Sequence, residues 1–277
     1  MRGLLFSAFL LAAPMAAHAQ AAPVVAEGTA PGASIQMRDL RRDAAGNLML
    51  RMVLINDSCC GISGVVLQEK SEDGGRPSGV KLTDPATGKA HRPMRGPDGE
   101  CVCGEMPNTS KGYRANLWVK FAGVPATVTT ATVEVQGYEP VDVPVQGPAP
   151  ATLAAEGGTP GQQIQVRDLK RDAAGALMLR YTFINNSCCG VSSVMLRELD
   201  TDAKPSGVKL IDEVTQTAYG PARLADGQCA CSDMPNTGRG ERANLWVKFA
   251  EVPPGLKTAS VVVKTFEPVA GVPITGP

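Results

Sequence analysis

An internal duplication limits the possible folds of this chain of 277 residues more than any other part of the sequence does. Several stretches of sequence occur twice. The octapeptide ANLWVKFA stands at residues 115–122 and again at 243–250. The tetrapeptide SCCG stands at residues 58–61 and again at 187–190. The copies lie about 129 residues apart, which is the length of a domain rather than of a solenoid repeat.

The duplication predicts two domains of the same fold, at residues 21–147 and 151–277. Residues 146–155, QGPAPATLAA, are rich in Pro and Ala and have little to bury. Such a composition is typical of a short and fairly stiff linker. We therefore predict that strands of the two copies do not mix in one sheet.

Each copy has the pattern of a β domain, with about seven short strands and no amphipathic helix. Residues 47–56 are apolar on nearly every position, as expected of a central strand, whereas residues 114–121 alternate. The expected core positions on the alternating strands are Leu117, Val119, Phe121, Leu245, Val247 and Phe249. The pattern favours two tandem Ig-like β-sandwiches, and a closed barrel is the alternative.

Four motifs follow one another along the chain: IQVRDLKRDAAGALMLRYTFIN, a D-P-x-T-G hairpin, D-G-x-C-x-C, and ANLWVKF followed by A-x-V-P. Motifs in this order resemble Ig-like domains of unknown function in bacterial secreted proteins. Some domains of that kind accompany OmpA-like or other envelope modules. The resemblance implies an exported β-sandwich and transfers no catalytic residue. The second copy departs from the pattern at its hairpin, residues 212–216, and the adjacent cysteine pair has no counterpart in the pattern.

The first 20 residues predict an export signal. One Arg is followed by a short apolar stretch and by Ala17-His18-Ala19, which fits the small-x-small rule for cleavage. The apolar stretch is short for a membrane span, although an uncleaved anchor is the alternative. We therefore expect a periplasmic or secreted protein with no membrane span after cleavage.

Charge and composition argue against nucleic-acid binding, because 27 basic residues are balanced by 27 acidic ones and aromatics make up only 4%. The chain has two histidines and none of the common hydrolase, metalloprotease or nucleotide-binding motifs. His91 is expected to be an exposed residue of a hairpin. The sequence thus predicts a protein that is not an enzyme and has no catalytic residue.

Cysteines are the sharpest chemical signal, because each copy holds one CC pair and one C-x-C pair. The eight are Cys59, Cys60, Cys101, Cys103, Cys188, Cys189, Cys229 and Cys231. In an exported chain an even number per domain predicts disulfides. We expect bridges from CC to C-x-C within each domain, since an Ig sandwich would place the strands that carry them in opposite sheets, near one pole.

Two alternatives remain for the cysteines. A bridge within the CC or the C-x-C pair would be strained and easily reduced, which would suit a thiol–disulfide redox protein. Soft-metal binding, with copper or zinc as cofactor, could use the cysteines with the methionine that follows each C-x-C. That set is Cys101, Cys103, Met106, Cys229, Cys231 and Met234. The methionines could equally fill the core.

Trp118 and Trp246 are candidates for an interface, because they lie on the strand face opposite the Leu, Val and Phe row. The alternative is that each Trp packs on a disulfide. The sequence therefore favours an exported, non-enzymatic binding or interaction protein of the cell envelope, without a cofactor. Its expected partner is a protein or envelope component.

Overall fold

The structure is a computed structural model that describes residues 23–43, 45–62, 67–69, 76–96, 99–147, 153–198 and 204–276. It is all-β and contains two eight-stranded curled sheets, one from each copy of the repeat. The predicted export signal at residues 1–20 lies outside the described residues.

Domain 1 contains eight strands, which are β1 (Val24–Glu27), β2 (Ala33–Arg42), β3 (Leu48–Asn56), β4 (Lys81–Thr83), β5 (Ala90–His91), β6 (Tyr113–Phe121), β7 (Thr130–Glu134) and β8 (Val141–Gln146). Domain 2 repeats them as β9 (Ala154–Glu156), β10 (Gln162–Arg171), β11 (Leu177–Asn185), β12 (Val208–Ile211), β13 (Ala218–Tyr219), β14 (Glu241–Phe249), β15 (Thr258–Val263) and β16 (Val269–Thr275). A single 3₁₀ turn, Ser193–Leu196, is the only helical element in the described part of domain 2.

The two sheets have the same strand order. In domain 1 it is β5-β4-β7-β8-β2-β3-β6, with β1 added beside β2, and domain 2 repeats it strand for strand. All pairs are antiparallel except β2 with β8 and its equivalent, β10 with β16. Because these parallel contacts span only two residue pairs, each sheet can curl there and close its apolar face on itself. No strand of one copy pairs with a strand of the other among the described residues.

The predicted linker is shorter than residues 146–155. Strand β8 includes Gln146, and β9 begins at Ala154, so both ends of the predicted segment belong to strands. Residues 148–152 lie outside the described residues.

The alternation of apolar and polar residues identified the core correctly. All six predicted positions on β6 and β14 are buried, at 0–2% exposure. Each domain has its own apolar cluster between the two halves of its curled sheet. Phe183 and Phe266 meet edge to face in domain 2, with ring centroids 6.0 Å apart, which is a favoured aromatic geometry.

The expected placement of β3 and β6 in opposite sheets is wrong. The two strands are hydrogen-bonded neighbours over their whole length, from Leu48 opposite Phe121 to Asn56 opposite Tyr113. Their CC and C-x-C pairs are therefore arranged along one sheet edge.

Candidate functional site

The first candidate site is the vicinal cysteine loop that follows β3. Cys59 and Cys60 are both exposed, and their Sγ atoms lie 2.9 Å apart. The loop after β11 repeats this arrangement, with 2.7 Å between the Sγ atoms of Cys188 and Cys189. Each domain therefore presents two adjacent sulfur atoms to solvent.

A buried asparagine fixes the conformation of each loop. Asn56, the last residue of β3, has no exposed surface and donates from Nδ2 to the Cys60 carbonyl at 2.9 Å and to the Thr109 carbonyl at 3.0 Å. Its Oδ1 accepts from the Ser58 hydroxyl at 2.6 Å. Asn185, Ser187 and Thr237 repeat these bonds in domain 2. A satisfied buried network of this kind specifies one loop geometry.

The adjacent sulfurs influence each other's ionisation. The hydrogen bond with Cys59, and the charge that Cys59 would carry, raise the pKa of Cys60. Cys188 raises the pKa of Cys189 in the same way. A raised pKa keeps the thiol protonated at neutral pH, which lowers its nucleophilicity. This effect applies to one thiol of each pair, Cys60 in domain 1 and Cys189 in domain 2.

The C-x-C pairs are bonded internally. Cys101 is joined to Cys103, and Cys229 is joined to Cys231. All four are buried, unlike the CC pairs. The predicted bridges from CC to C-x-C are therefore wrong.

Strand register explains this error. Cys103 lies opposite Val119 on the outer edge of β6, whereas the CC loop follows Asn56, which lies opposite Tyr113 at the start of β6. Six residues of strand separate these positions by about 20 Å. A disulfide requires Cα atoms less than about 7 Å apart.

In each domain the C-x-C cysteines and the methionine of the soft-metal set lie in the same apolar cluster. Met106 and Met234 are buried in the two apolar clusters, where they fill the core. Cysteines of a C-x-C disulfide offer no thiolate for a metal. No group of three or more His, Cys, Asp or Glu side chains suited to a metal ion lies among the described residues.

His91 differs from its prediction. It lies on the short strand β5 opposite Leu82 and is buried rather than exposed. Burial, together with the charge of Lys89, lowers its pKa, so the imidazole is neutral at pH 7. The side chain therefore belongs to the packing of the hairpin.

The second candidate site is a sheet surface of domain 1, here named the Trp face and defined by Arg38, Arg51, Asn116 and Trp118. Domain 2 packs on this face, where Asn116 and Trp118 are buried while Arg38 and Arg51 keep side-chain exposures of 36% and 35%. The backbone N–H of Asn116 donates to the Gly158 carbonyl at 2.8 Å, and its Nδ2 donates to the Gly157 carbonyl at 2.9 Å. Because β6 is an edge strand, its outward N–H is available for such a bond.

The part of domain 2 that covers this face is here named the Glu edge and is defined by Glu156, Gly157 and Glu267. Arg38 pairs with Glu156, and Arg51 pairs with Glu267 at 3.3 Å. Burial raises the pKa of Glu267, although the Arg51 guanidinium opposes that shift.

Asp39 orients Arg51 from behind. The Nε of Arg51 donates to Asp39 Oδ1 at 2.8 Å, and Arg41 Nε donates to Oδ2 at 2.9 Å. Burial raises the pKa of Asp39, but the hydrogen bonds from Arg51 and Arg41 outweigh it and lower the pKa below its usual range. The carboxylate is therefore charged and holds the guanidinium toward domain 2.

The two tryptophans, predicted as interface candidates, lie in different environments. Trp118 is 7% exposed, and its carbonyl accepts from Gly104 N, next to the C-x-C disulfide, at 2.9 Å. Trp246 occupies the equivalent position in domain 2 and is 40% exposed. Trp118 also lines a cleft of about 760 Å³ between the domains, together with Cys103, Lys209, Lys264 and Phe266.

Sequence reasoning missed Asn116, Glu156 and Glu267. Each has an identical residue in the other copy, at Asn244, Glu27 and Glu139. The available signal was the recurrence of polar residues at positions that the alternation predicts to face solvent.

No family model matches this chain, and no curated protein is significantly similar to it. Within the part of the chain that the structure describes, no helix has the length and hydrophobicity required to cross a bilayer.

Proposed function

We propose that this chain is an exported, non-enzymatic interaction protein of the cell envelope, built from two Ig-like β-sandwich repeats. It binds its partner through the Trp face of domain 2, defined by Arg167, Arg180, Asn244 and Trp246. One observation carries this proposal. The same residue types in domain 1 already bind a protein surface, namely the Glu edge of domain 2.

The chemistry of this face supports protein recognition. Trp and Arg are the residues most enriched among those that dominate interface energies. Trp246 is 40% exposed between the exposed side chains of Asn244 and Arg180, so an apolar anchor lies within a polar rim. The cysteine pairs and the export signal favour an oxidising compartment.

Site-specific photo-crosslinking tests the proposal. The aromatic crosslinker p-benzoylphenylalanine would replace Trp246 in cells that express and export the chain. We expect a discrete light-dependent adduct, because the ring would lie in the interface. The matched control carries the crosslinker at Val214, which is 90% exposed on a hairpin away from this face and should give no such adduct. No adduct at position 246 would contradict the proposed function.

A second candidate function is thiol–disulfide exchange at the vicinal cysteine loops. This function is favoured by the 2.9 Å separation between the exposed Sγ atoms of Cys59 and Cys60, in a loop that hydrogen bonds from Asn56 hold in place. Two thiols would lose two protons and two electrons to form the Cys59–Cys60 disulfide, and a disulfide in the partner would be reduced to two thiols. Mass mapping after titration in glutathione buffers tests it. A pair that stays in one state across the buffer range would exclude exchange.

A further inference from the structure

We propose that the partner of the domain 2 Trp face is the Glu edge of domain 1 in a second copy of this chain. Copies would then associate head to tail, repeating between chains the contact that joins the two domains within one chain. This inference rests on the proposed function, because it identifies the partner of the same face.

Both halves of the interdomain contact are duplicated in the sequence. The face residues Arg38, Asp39, Arg51, Asn116 and Trp118 correspond to Arg167, Asp168, Arg180, Asn244 and Trp246. The edge residues Glu156, Gly157 and Glu267 correspond to Glu27, Gly28 and Glu139. Every one of these residues keeps its identity, although only one face and one edge are used within the chain.

The Glu edges of the two domains have the same backbone geometry. Glu139 N–H donates to the Glu27 carbonyl at 2.9 Å, as Glu267 N–H donates to the Glu156 carbonyl at 3.0 Å. Gly28 forms a bridge with Tyr138, as Gly157 does with Phe266. The two glutamates of domain 1 are therefore held side by side, as those of domain 2 are.

The Trp face of domain 2 and the Glu edge of domain 1, which are unused within the chain, are exposed. Glu267 is 6% exposed where domain 1 covers it, whereas Glu139 and Glu27 are exposed. Asn244 and Trp246 are exposed, whereas their counterparts Asn116 and Trp118 are buried. Both surfaces are thus open to a second copy.

Several positions at the contact differ between the copies, since residues 264–266 (KTF) beside the Glu edge correspond to residues 136–138 (QGY). The difference at Gly158 is tolerated. Gly158, whose carbonyl accepts from Asn116, corresponds to Thr29 in domain 1. A Cβ on Gly158 would lie 3.7 Å from the Glu105 carbonyl oxygen and 3.8 Å from that of Asn116, which is ordinary van der Waals contact. The Thr29 carbonyl can therefore take the same role toward Asn244.

The symmetry of the contact determines the form of the assembly. A face on one copy meets a different surface on the next, so the contact is heterologous and builds a ring or an open chain. Within one chain the linker holds the partners at an effective concentration of about 1 mM. Association between chains lacks that advantage and will be concentration-dependent.

Analytical ultracentrifugation of the full protein, over about 1 µM to 1 mM, tests the inference. We expect the wild type to form species larger than a monomer as concentration rises. Trp246→Ala removes the face anchor, and Glu27→Arg with Glu139→Arg reverses the charge of the edge. Each variant should weaken association by about tenfold or more, because Trp anchors and close charge pairs dominate such contacts.

Mixing the two variants gives the sharpest result. The variant with Glu27→Arg and Glu139→Arg keeps its Trp face, which can bind the intact Glu edge of the Trp246→Ala variant. No further chain can then add, because the two surfaces left free are the substituted ones. We expect a 1:1 dimer and no larger species. Val214→Ser is the matched control and should associate like the wild type, while circular dichroism verifies that all variants are folded.

A wild type that stays monomeric over the whole range would overturn the inference, as would association that both variants leave unchanged. The photo-crosslinking experiment separates this failure from that of the proposed function. An adduct at position 246 with the mass of two chains supports self-association, and an adduct of any other mass leaves only the proposed function standing.

Discussion

Strands β6 and β14 share the sequence ANLWVKF, but their surroundings differ. In β14 exposure alternates along the strand, with Asn244 and Trp246 exposed between buried neighbours. In β6 every residue from Ala115 to Phe121 is buried. The inward side chains are covered by their own domain in both strands, whereas the outward side chains are covered only where another surface packs on them. The same residues thus form an interface in one copy and an open surface in the other.

The largest loss of stability is expected at the core phenylalanines, which are equally buried in the two domains. Phe121→Ala and Phe249→Ala should each cost about 3–5 kcal/mol of unfolding free energy, because both rings are fully buried. Urea unfolding of each variant measures this cost. A loss below about 1 kcal/mol in either domain would place that ring on the surface.

The next largest effect concerns the two tryptophans, whose exposure differs between the domains. Trp118→Ala should destabilise the protein by about 2–4 kcal/mol, since the indole is buried at a domain contact. Trp246→Ala should change stability by less than about 0.5 kcal/mol at concentrations where the protein is monomeric. Denaturant unfolding of both variants compares them directly. Equal losses would show that the two faces are equivalent in solution.

A pH dependence should distinguish the carboxylates behind the two faces. Asp39→Asn should cost about 1.5–3 kcal/mol at pH 7, because the charged side chain accepts from two arginines. The pKa of Asp39 is lower when folded, so this stabilisation is present above about pH 4 and is lost as pH falls through the folded pKa. Unfolding of wild type and variant from pH 7 to 2 should therefore converge at low pH.

Asp168→Asn is the matched control, since that carboxylate is more exposed and pairs with Arg180 alone among the described residues. Its cost at neutral pH should be smaller than that of Asp39→Asn. A gap between wild type and Asp39→Asn that stays constant from pH 7 to pH 2 would exclude a role for the charge.

The smallest effect concerns the C-x-C disulfides. Each closes a ring of only a few residues, so its reduction should cost about 1.5 kcal/mol, and equally in both domains. Bridges from CC to C-x-C would close loops of about 43 residues and would be worth about 4 kcal/mol. Melting temperatures of Cys101→Ser with Cys103→Ser, and of the equivalent domain 2 variant, provide the measurement. A loss of stability near 4 kcal/mol would instead indicate that the bridges run from CC to C-x-C.

The local features of the fold could be predicted from the sequence. Alternation identified Leu117, Val119 and Phe121 as core, because a strand turns successive side chains to opposite faces whatever its neighbours are. Repetition indicated that each copy would build its own sheet, and each does. These properties depend on residues close together along the chain or on their periodicity.

Which strands are neighbours and which surfaces are covered depends on the packing of distant segments, and these features emerged only from the structure. The order β2-β3-β6 placed CC and C-x-C at different heights along one edge, which no spacing between cysteines reveals. Trp118 and Trp246 have the same local sequence, and their exposure differs because only domain 1 has a second domain packed on its face. Burial of an outward side chain depends on residues far away in sequence, so identical strands can have different roles.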